Sequence, residues 1–351
     1  MNTLTASKNP INSIVMKKIE LISQYKKITW ECTTTCNYSC TYCPPQNSDG
    51  KYRWPNEEQT ANLIDFSKNF YSDVDISSTD FDIMGGEPTV WPAFSEFYEE
   101  ISKHCLVGLS TNGSRTERYW KKLKVTNPFR YFVISFHPET AEVDHVMNVA
   151  KIMYEKTPNV TIFVLYHPSY KQKCLEMYNK VKDSDLRISI KLKPIYATKR
   201  YEPNYTSEDW KVIQEIERVG RNWPDEDMER LFPNVTIKKP AIDMDGIVYE
   251  NSDHLENNQQ NNFKNWLCHI GTSYIYIGPD GNVRGSACGV MKENSLANAY
   301  KDKTFIKPKA VICPYSECSC PADVELLKKV NIFNQPQRVA QDRHVKHALA
   351  S

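Results

Sequence analysis

An alternation that runs through the first two hundred residues limits what this chain can fold into more than any other feature. Short runs of β-branched and aromatic residues occur at 27–32 (KITWEC), 80–85 (DFDIMG), 105–111 (CLVGLST), 130–137 (RYFVISFH), 160–167 (VTIFVLYH) and 187–195 (RISIKLKPI). Between them, apolar residues return at the 3.6-residue period: Leu63, Phe66 and Phe70; Phe94, Phe97 and Ile101; Val143, Val146, Met147, Ala150, Met153 and Tyr154; Cys174, Met177, Tyr178 and Val181. The spacing predicts core-facing helices between six strands. Such repetition implies an α/β fold with a parallel sheet and right-handed crossovers, open or curved toward a barrel.

Two of the strands also alternate along their length. Phe132, Ile134 and Phe136 interleave with Tyr131, Val133, Ser135 and His137; Ile188, Ile190 and Leu192 interleave with Ser189, Lys191 and Lys193. With helices on one face, the apolar set points at them and the other set points into a lumen. His137, Lys191 and Lys193 are therefore candidates for contacting a substrate there, the lysines for an anionic one. A solvated edge strand accounts for the lysines equally well.

After residue 200 the pattern changes. Residues 206–220 read as one helix with Thr206 or Ser207 as N-cap and Gly220 past its end. Residues 251–265 are rich in Asn and Gln without periodicity and read as a mobile connection. TSYIYIGPDGNVRGSACG follows, a strand, a Pro-Asp-Gly turn and a return strand. The tail from 331 is polar.

The formal charge of +1, from 44 Lys+Arg against 43 Asp+Glu, provides no basic footprint for nucleic acid or an anionic membrane. No apolar run approaches the ~20 residues that span a bilayer, and the N-terminus lacks the pattern of a signal peptide. A cytoplasmic protein without nucleic-acid or membrane partners is expected. In a reducing compartment the eleven cysteines point to metal or redox chemistry rather than disulfides.

Three of those cysteines, Cys36, Cys40 and Cys43, form C-x3-C-x2-C directly after the first strand. Three thiolates on one loop suit a four-iron cluster with one iron left open, since each iron takes one thiolate. A structural zinc site normally wants four protein ligands. A frame starting at Cys32 fails because Ser39 stands where its third cysteine should be; Cys32 is expected to line the lumen.

The segment CNYSCTYC (36–43), with aromatic Tyr42 before its last cysteine, resembles the signature of the radical S-adenosylmethionine (radical SAM) superfamily. MGGEP (84–88), at the end of the second strand, is similar to that family's segment for the amino group of SAM, through Gly85, Gly86, Glu87 and Pro88. The resemblance spans about residues 27–200 and implies a partial (β/α)6 barrel. It also implies that Cys36, Cys40 and Cys43 hold a 4Fe–4S cluster whose fourth iron chelates SAM. Ser110 and Asn112 in LSTNGS, and Ser135 with His137 on the fourth strand, match positions of ribose or methionine contacts. The family's glycine pattern on the fifth strand is absent from VTIFVLYHP.

Cys268 and Cys288 bracket the hairpin, and Cys313, Cys318 and Cys320 follow. This arrangement is similar to the twitch or SPASM-like extensions of the family, which implies a second, auxiliary 4Fe–4S cluster. Four of the five cysteines would saturate one cluster. Cys105 and Cys174 read as buried apolar residues. The expected organisation is an N-terminal extension (1–24), the barrel (25–200), a helical segment and linker (201–262), a small hairpin-containing auxiliary-cluster domain (263–330) and the tail (331–351). The segment before the first strand is shorter than a separate peptide-recognition domain.

The family's chemistry implies an oxidoreductase. A flavodoxin or ferredoxin would reduce the cluster, SAM cleavage would yield a 5′-deoxyadenosyl radical, and that radical would take hydrogen from a small molecule or peptide side chain. An epimerase with a cysteine hydrogen donor is the alternative within the class; a non-catalytic zinc scaffold is the alternative outside it.

Overall fold

The computed structural model describes residues 18–21, 24–157, 159–195, 201, 203–218, 242–244, 247–249, 255, 260–288, 295–304, 307–318 and 321–330. In chain order the strands are β1 (Lys18–Leu21), β2 (Lys26–Glu31), β3 (Thr79–Met84), β4 (Val107–Thr111), β5 (Tyr131–Phe136), β6 (Val160–Tyr166) and β7 (Ser189–Pro194). The later strands are β8 (Ile242–Met244), β9 (Ile247–Tyr249), β10 (Leu267–Cys268), β11 (Tyr274–Ile277), β12 (Asn282–Arg284), β13 (Ala297–Asn298), β14 (Val311–Ile312) and β15 (Lys328–Lys329). The main helices are α1 (Glu57–Tyr71), α2 (Phe94–Ile101), α3 (Glu117–Lys122), α4 (Val143–Tyr154), α5 (Lys171–Lys182) and α6 (Ser207–Arg218).

The chain divides into two compact units. The larger one (Ser23–Pro240 with Gly271–Pro308) is built on the parallel run β2-β3-β4-β5-β6-β7, the α/β sheet of a partial barrel. Each expected strand is present within two residues of its expected ends. The alternation works as the residue types dictate. Phe132, Ile134 and Phe136, with Ile188, Ile190 and Leu192, join the core cluster under the helices, while Ser135, His137, Ser189 and Lys191 are only half-buried on the other face. Cys105 and Cys174 are buried apolar residues, as expected.

Local signals start the helices. Asn56 and Gln59 cap α1 reciprocally, each side chain meeting the other's backbone N–H. Thr206 and Asp209 do the same for α6. Cys32 corrects an expectation: it shares the face of Ile28 and Trp30, is 0% exposed, and packs in the core under the helices rather than on the lumen wall.

The hairpin after residue 270 continues this sheet. β11 lies parallel to β2, with Ile275 opposite Ile28 and Ile277 opposite Trp30, and β12 and β13 follow antiparallel. The sequence grouping of this hairpin with the downstream cysteines thus cuts across the sheet that holds it. The smaller unit (Met1–Ile22, Ala241–Ile270 and Lys309–Ser351) carries an antiparallel sheet ordered β14-β10-β15-β1-β8-β9. Its strand β1 comes from the segment expected to be only an extension. The tail 331–351 and most of the 251–265 connection lie outside the described residues. Among the described residues, no helix is long and apolar enough to cross a membrane.

Candidate functional site

The cysteine loop leaves the C-terminal end of β2, and its lead-in is held on both sides. Thr34 N–H donates to Tyr52 O at 2.8 Å and Gly50 N–H to Thr34 O at 3.0 Å. On the other flank, Gly86 N–H donates to Thr33 O at 2.7 Å and Glu87 N–H to Thr35 O at 2.9 Å.

That second flank explains MGGEP. Gly85 has φ +126°, a conformation side chains avoid, and a Cβ there would lie 2.6 Å from Thr33 O. A Cβ on Gly86 would lie 2.3 Å from Thr35 O. The glycines let the end of β3 press against the start of the cysteine loop. Pro88 then opens a short 3-10 turn, where its missing N–H costs nothing.

Glu87 is 0% exposed. Its Oε1 accepts from Thr89 N (3.0 Å), Thr89 Oγ1 (2.5 Å) and Thr111 Oγ1 (2.7 Å), and its Oε2 from Asn112 N at 2.6 Å. Burial raises its pKa above the usual carboxylate value, and these donors pull against that rise. The carboxylate therefore ties the end of β3 to the end of β4.

Asn112, which it positions, is 4% exposed and reaches back to the cysteine loop. Its Nδ2 donates to Asn37 Oδ1 at 3.1 Å and makes a long contact of 3.9 Å with Cys36 Sγ. Asn37 donates in turn to Ser114 Oγ at 2.8 Å. Ser110 and Ser135 are half-buried on the lumen face of β4 and β5.

The far side of the loop is held from β5. Glu139 accepts from Thr41 N at 2.8 Å and Thr41 Oγ1 at 2.5 Å, between Cys40 and Cys43, and its Oε1 lies 3.6 Å from His167 Nε2. Tyr42 is 5% exposed and stands among His137, His167 and Tyr201 at ring separations of 5.9, 5.8 and 6.1 Å. Its hydroxyl is 2.9 Å from His137 Nδ1. Burial pushes the Cys36 thiol up and the Cys40 thiol up to about 11. It pushes His137 down to about 4, so the imidazole is neutral. Sequence reasoning missed Glu139 and His167; an acidic residue after a strand looks like an ordinary helix-start carboxylate.

Deeper in the lumen lies a charged network. Asp80 and Asp82 share one face of β3, Lys27 bridges them, Arg130 Nε is 3.5 Å from Asp80, and Tyr25 donates to Asp80 at 2.7 Å. Burial works against the Asp80 carboxylate, but Arg130 and Lys27 outweigh it and hold the group down to about 2. Burial and then the Asp80 charge push Asp82 up to about 7. Lys191 and Lys193 sit on β7, at the sheet's end; Lys191 is opposite Phe163, and Lys193 Nζ lies 4.6 Å over the Phe163 ring.

The donor set fits an iron–sulfur cubane. Three thiols on one braced loop are what such a cluster takes, and thiolates bound to separate irons need not meet at a point. Among the described residues, no three His, Cys, Asp or Glu side chains converge on a single ion. In the smaller unit, Cys268, Cys313 and Cys318 are buried. Cys268 is opposite Val311, and Cys313 N–H donates to Trp266 O at 2.8 Å. That register puts Cys268 and Cys313 diagonally on one sheet face. Cys288, in the larger unit, lies 3.1 Å from Ser286 Oγ; Cys320 lies outside the described residues.

Residues 30–166 match the radical SAM superfamily. GTP 3′,8-cyclase of Haemophilus ducreyi is 34% identical over 111 residues, 30% of this chain and 32% of that one. Mycofactocin maturase MftC of Mycobacterium tuberculosis is 34% identical over 134 residues, 35% of this chain and 32% of that one. The match thus spans about a third of the length of these curated relatives. The structure of native anSMEcpe with bound AdoMet aligns with a TM-score of 0.51 at 17% identity, covering 79% of this chain and 78% of that one; the likeness is one of fold.

Proposed function

We propose that this radical SAM enzyme oxidises a small molecule or a peptide side chain in its barrel lumen, with Cys36, Cys40 and Cys43 holding a 4Fe–4S cluster. When bound, the cluster and SAM would supply a 5′-deoxyadenosyl radical that takes hydrogen from the substrate. The remaining work belongs to the chain. Gly85 and Gly86 keep the end of β3 close to the cysteine loop, where the 85–88 segment would meet the amino group of SAM. Glu87 serves that segment by fixing it to Asn112 rather than by offering a free carboxylate. Ser110, Asn112 and Ser135 line the strand ends on which ribose and methionine groups would rest. On this reading His137, Lys191 and Lys193 would face a substrate on the lumen side.

The observation that carries this reading is the braced loop. Three thiols sit on a segment pinned from β3, β4 and β5 at once, which is the preorganisation a reactive cluster needs. Cys268, Cys313 and Cys318, with one further cysteine to complete four, would hold an auxiliary cluster that takes up the second electron of the oxidation. A flavodoxin- or ferredoxin-type protein would supply the first.

Anaerobic reconstitution tests the proposal. About eight irons per chain and 5′-deoxyadenosine formation with dithionite and SAM are expected, since each cluster holds four irons. Replacing Cys36, Cys40 or Cys43 by Ala should each abolish SAM cleavage; activity surviving in any of them refutes the assignment. Solvent deuterium in the product without net oxidation would move the reading to epimerisation.

A further inference from the structure

We propose that Lys328 is the built-in counter-cation of the auxiliary cluster, and that its charge raises the reduction potential of that cluster. The inference rests on the reading that Cys268, Cys313 and Cys318 hold such a cluster. It gives a role to a buried charge that the barrel chemistry does not use.

The sheet of the smaller unit carries one row of facing residues across five strands. Met244 on β8 is opposite Ile19 on β1, Ile19 is opposite Lys328 on β15, Lys328 is opposite Cys268 on β10, and Cys268 is opposite Val311 on β14. Residues opposite one another in antiparallel strands share a face. A lysine therefore stands in a row otherwise made of apolar side chains and one cysteine. Cys313, two positions beyond Val311, falls on the same face. Lys328 is 1% exposed and ranks among the largest fully buried side chains.

Its head group is held in place. Nζ donates to the backbone carbonyls of Asp323, Val324 (3.1 Å) and Leu326 (3.4 Å), and lies 4.9 Å over the Phe263 ring. Carbonyls only accept, so three such bonds use three N–H protons and the group is an ammonium. Phe263 belongs to a loop tied to two of the cysteines: Cys318 N–H donates to Asn261 O at 3.0 Å, and Cys313 N–H to Trp266 O at 2.8 Å. The cation is thus flanked by Cys268 on its own sheet face and by the loop that holds Cys313 and Cys318.

The carbonyls satisfy its protons but not its charge. Among the described residues Lys328 forms no ion pair, and a fully buried lysine is rarely left without a counter-charge. A 4Fe–4S cluster bound by thiolates is a net anion, and reduction adds one more negative charge. A cation fixed nearby, in a site withdrawn from water, stabilises the reduced form more than the oxidised one and raises the potential.

Potentiometry followed by electron paramagnetic resonance tests this on the reconstituted full chain carrying Cys36→Ala, Cys40→Ala and Cys43→Ala, which leaves only the auxiliary cluster to titrate. About four irons per chain are expected there. Adding Lys328→Met, which keeps most of the stem and removes the charge, should move the midpoint to a more negative potential at the same iron content. Lys328→Arg, which keeps the charge, should leave it near that of the parent. A role limited to packing or to tying down the three carbonyls would change the melting temperature and leave the midpoint in place. An unmoved midpoint in fully loaded Lys328→Met overturns the pairing. Should Lys328→Met fail to hold iron, Lys328→Arg must still hold it, and loss of iron from both overturns the pairing instead. A parent chain that binds no iron at all defeats the auxiliary-cluster reading itself, a different failure.

Discussion

Glu139 receives two hydrogen bonds from Thr41, one from its backbone N–H at 2.8 Å and one from its hydroxyl at 2.5 Å. A carboxylate at the end of one strand thereby grips the residue between two of the three loop cysteines, 98 positions away in sequence. Hydrogen bonds to a charged acceptor contribute about 1.5–3 kcal/mol, less where water competes. Glu139→Ala should loosen the loop without unfolding the barrel. Cluster loss to a chelator should then run about tenfold faster, the equivalent of about 1.4 kcal/mol, while the melting temperature of the iron-free protein changes little. Iron release followed by chelator absorbance checks it.

Glu87 poses the opposite case, because no water is at hand to replace it. Glu87→Ala would leave the N–H and hydroxyl of Thr89, the Thr111 hydroxyl and the Asn112 N–H without their acceptor. We expect a loss of about 3–5 kcal/mol, since each buried unsatisfied group costs about 1–3 kcal/mol and partial relaxation recovers some of it. Glu87→Gln keeps the shape but turns an NH2 toward donors and should cost about 1–3 kcal/mol. Urea unfolding of the iron-free protein measures both. If Gln were neutral, the four-donor arrangement would not be holding β3 to β4.

Much of this frame was legible because its signals are local and repeated. The alternation of Phe132, Ile134 and Phe136, and the long stripe from Val143 to Met153, state which face is buried without reference to anything distant. Helix α3 left no such trace: it has six residues and only Trp120 buried among them, too short for a period to repeat. The parallel pairing of β11 with β2 joins residues such as Ile28 and Ile275, and nothing in either segment specifies the other. At the site, the cysteines were visible from spacing and the glycines from the resemblance of MGGEP to a family segment. The acids that brace them, Glu87 through Thr111 and Glu139 through Thr41, act across strands, and their partners emerge only once strand order is known.

Gly86 offers a steric test of the same junction. An added Cβ would sit 2.3 Å from Thr35 O and 2.7 Å from Thr35 C, both backbone atoms that cannot swing aside. Gly86→Ala should cost about 1–3 kcal/mol by overpacking and push the cysteine loop away from β3. Reduced iron uptake on reconstitution, with the circular dichroism of the barrel kept, is the expected result.

The lumen pair predicts a pH signature. Asp82 is pushed up to about 7 from an ordinary 3.8 by burial and by Asp80. The folded state therefore keeps a proton that the unfolded chain has lost, so stability falls as pH rises from about 4 to about 7 and levels off above. Asp80 is held low by Arg130 and Lys27 and acts the other way, its contribution present above about 4 and lost as pH falls toward 2. Asp82→Asn should remove the upper limb and keep the acid one. Denaturant midpoints of the iron-free protein across pH 2–8 would show it; an unchanged slope between pH 4 and 7 in the variant would place the titration elsewhere.

Four thiols lie within twelve positions of the cysteine loop, and the hydrophobic cluster it packs in separates one from the rest. Cys32 is 0% exposed, its N–H donates to Met84 O at 2.8 Å, and its side chain joins the core cluster with Trp30 and Leu63. Burial, with the Glu87 and Glu31 charges, raises its thiol well above the usual range, and its side chain packs under the helices, on the core face of β2 with Ile28 and Trp30. Cys32→Ala should cost about 1 kcal/mol for the lost sulfur contacts, yet the reconstituted variant should carry the wild-type complement of iron and the same resonance spectrum. A deficit of about four irons in that variant would make Cys32 a ligand and force one of the other three out of the set.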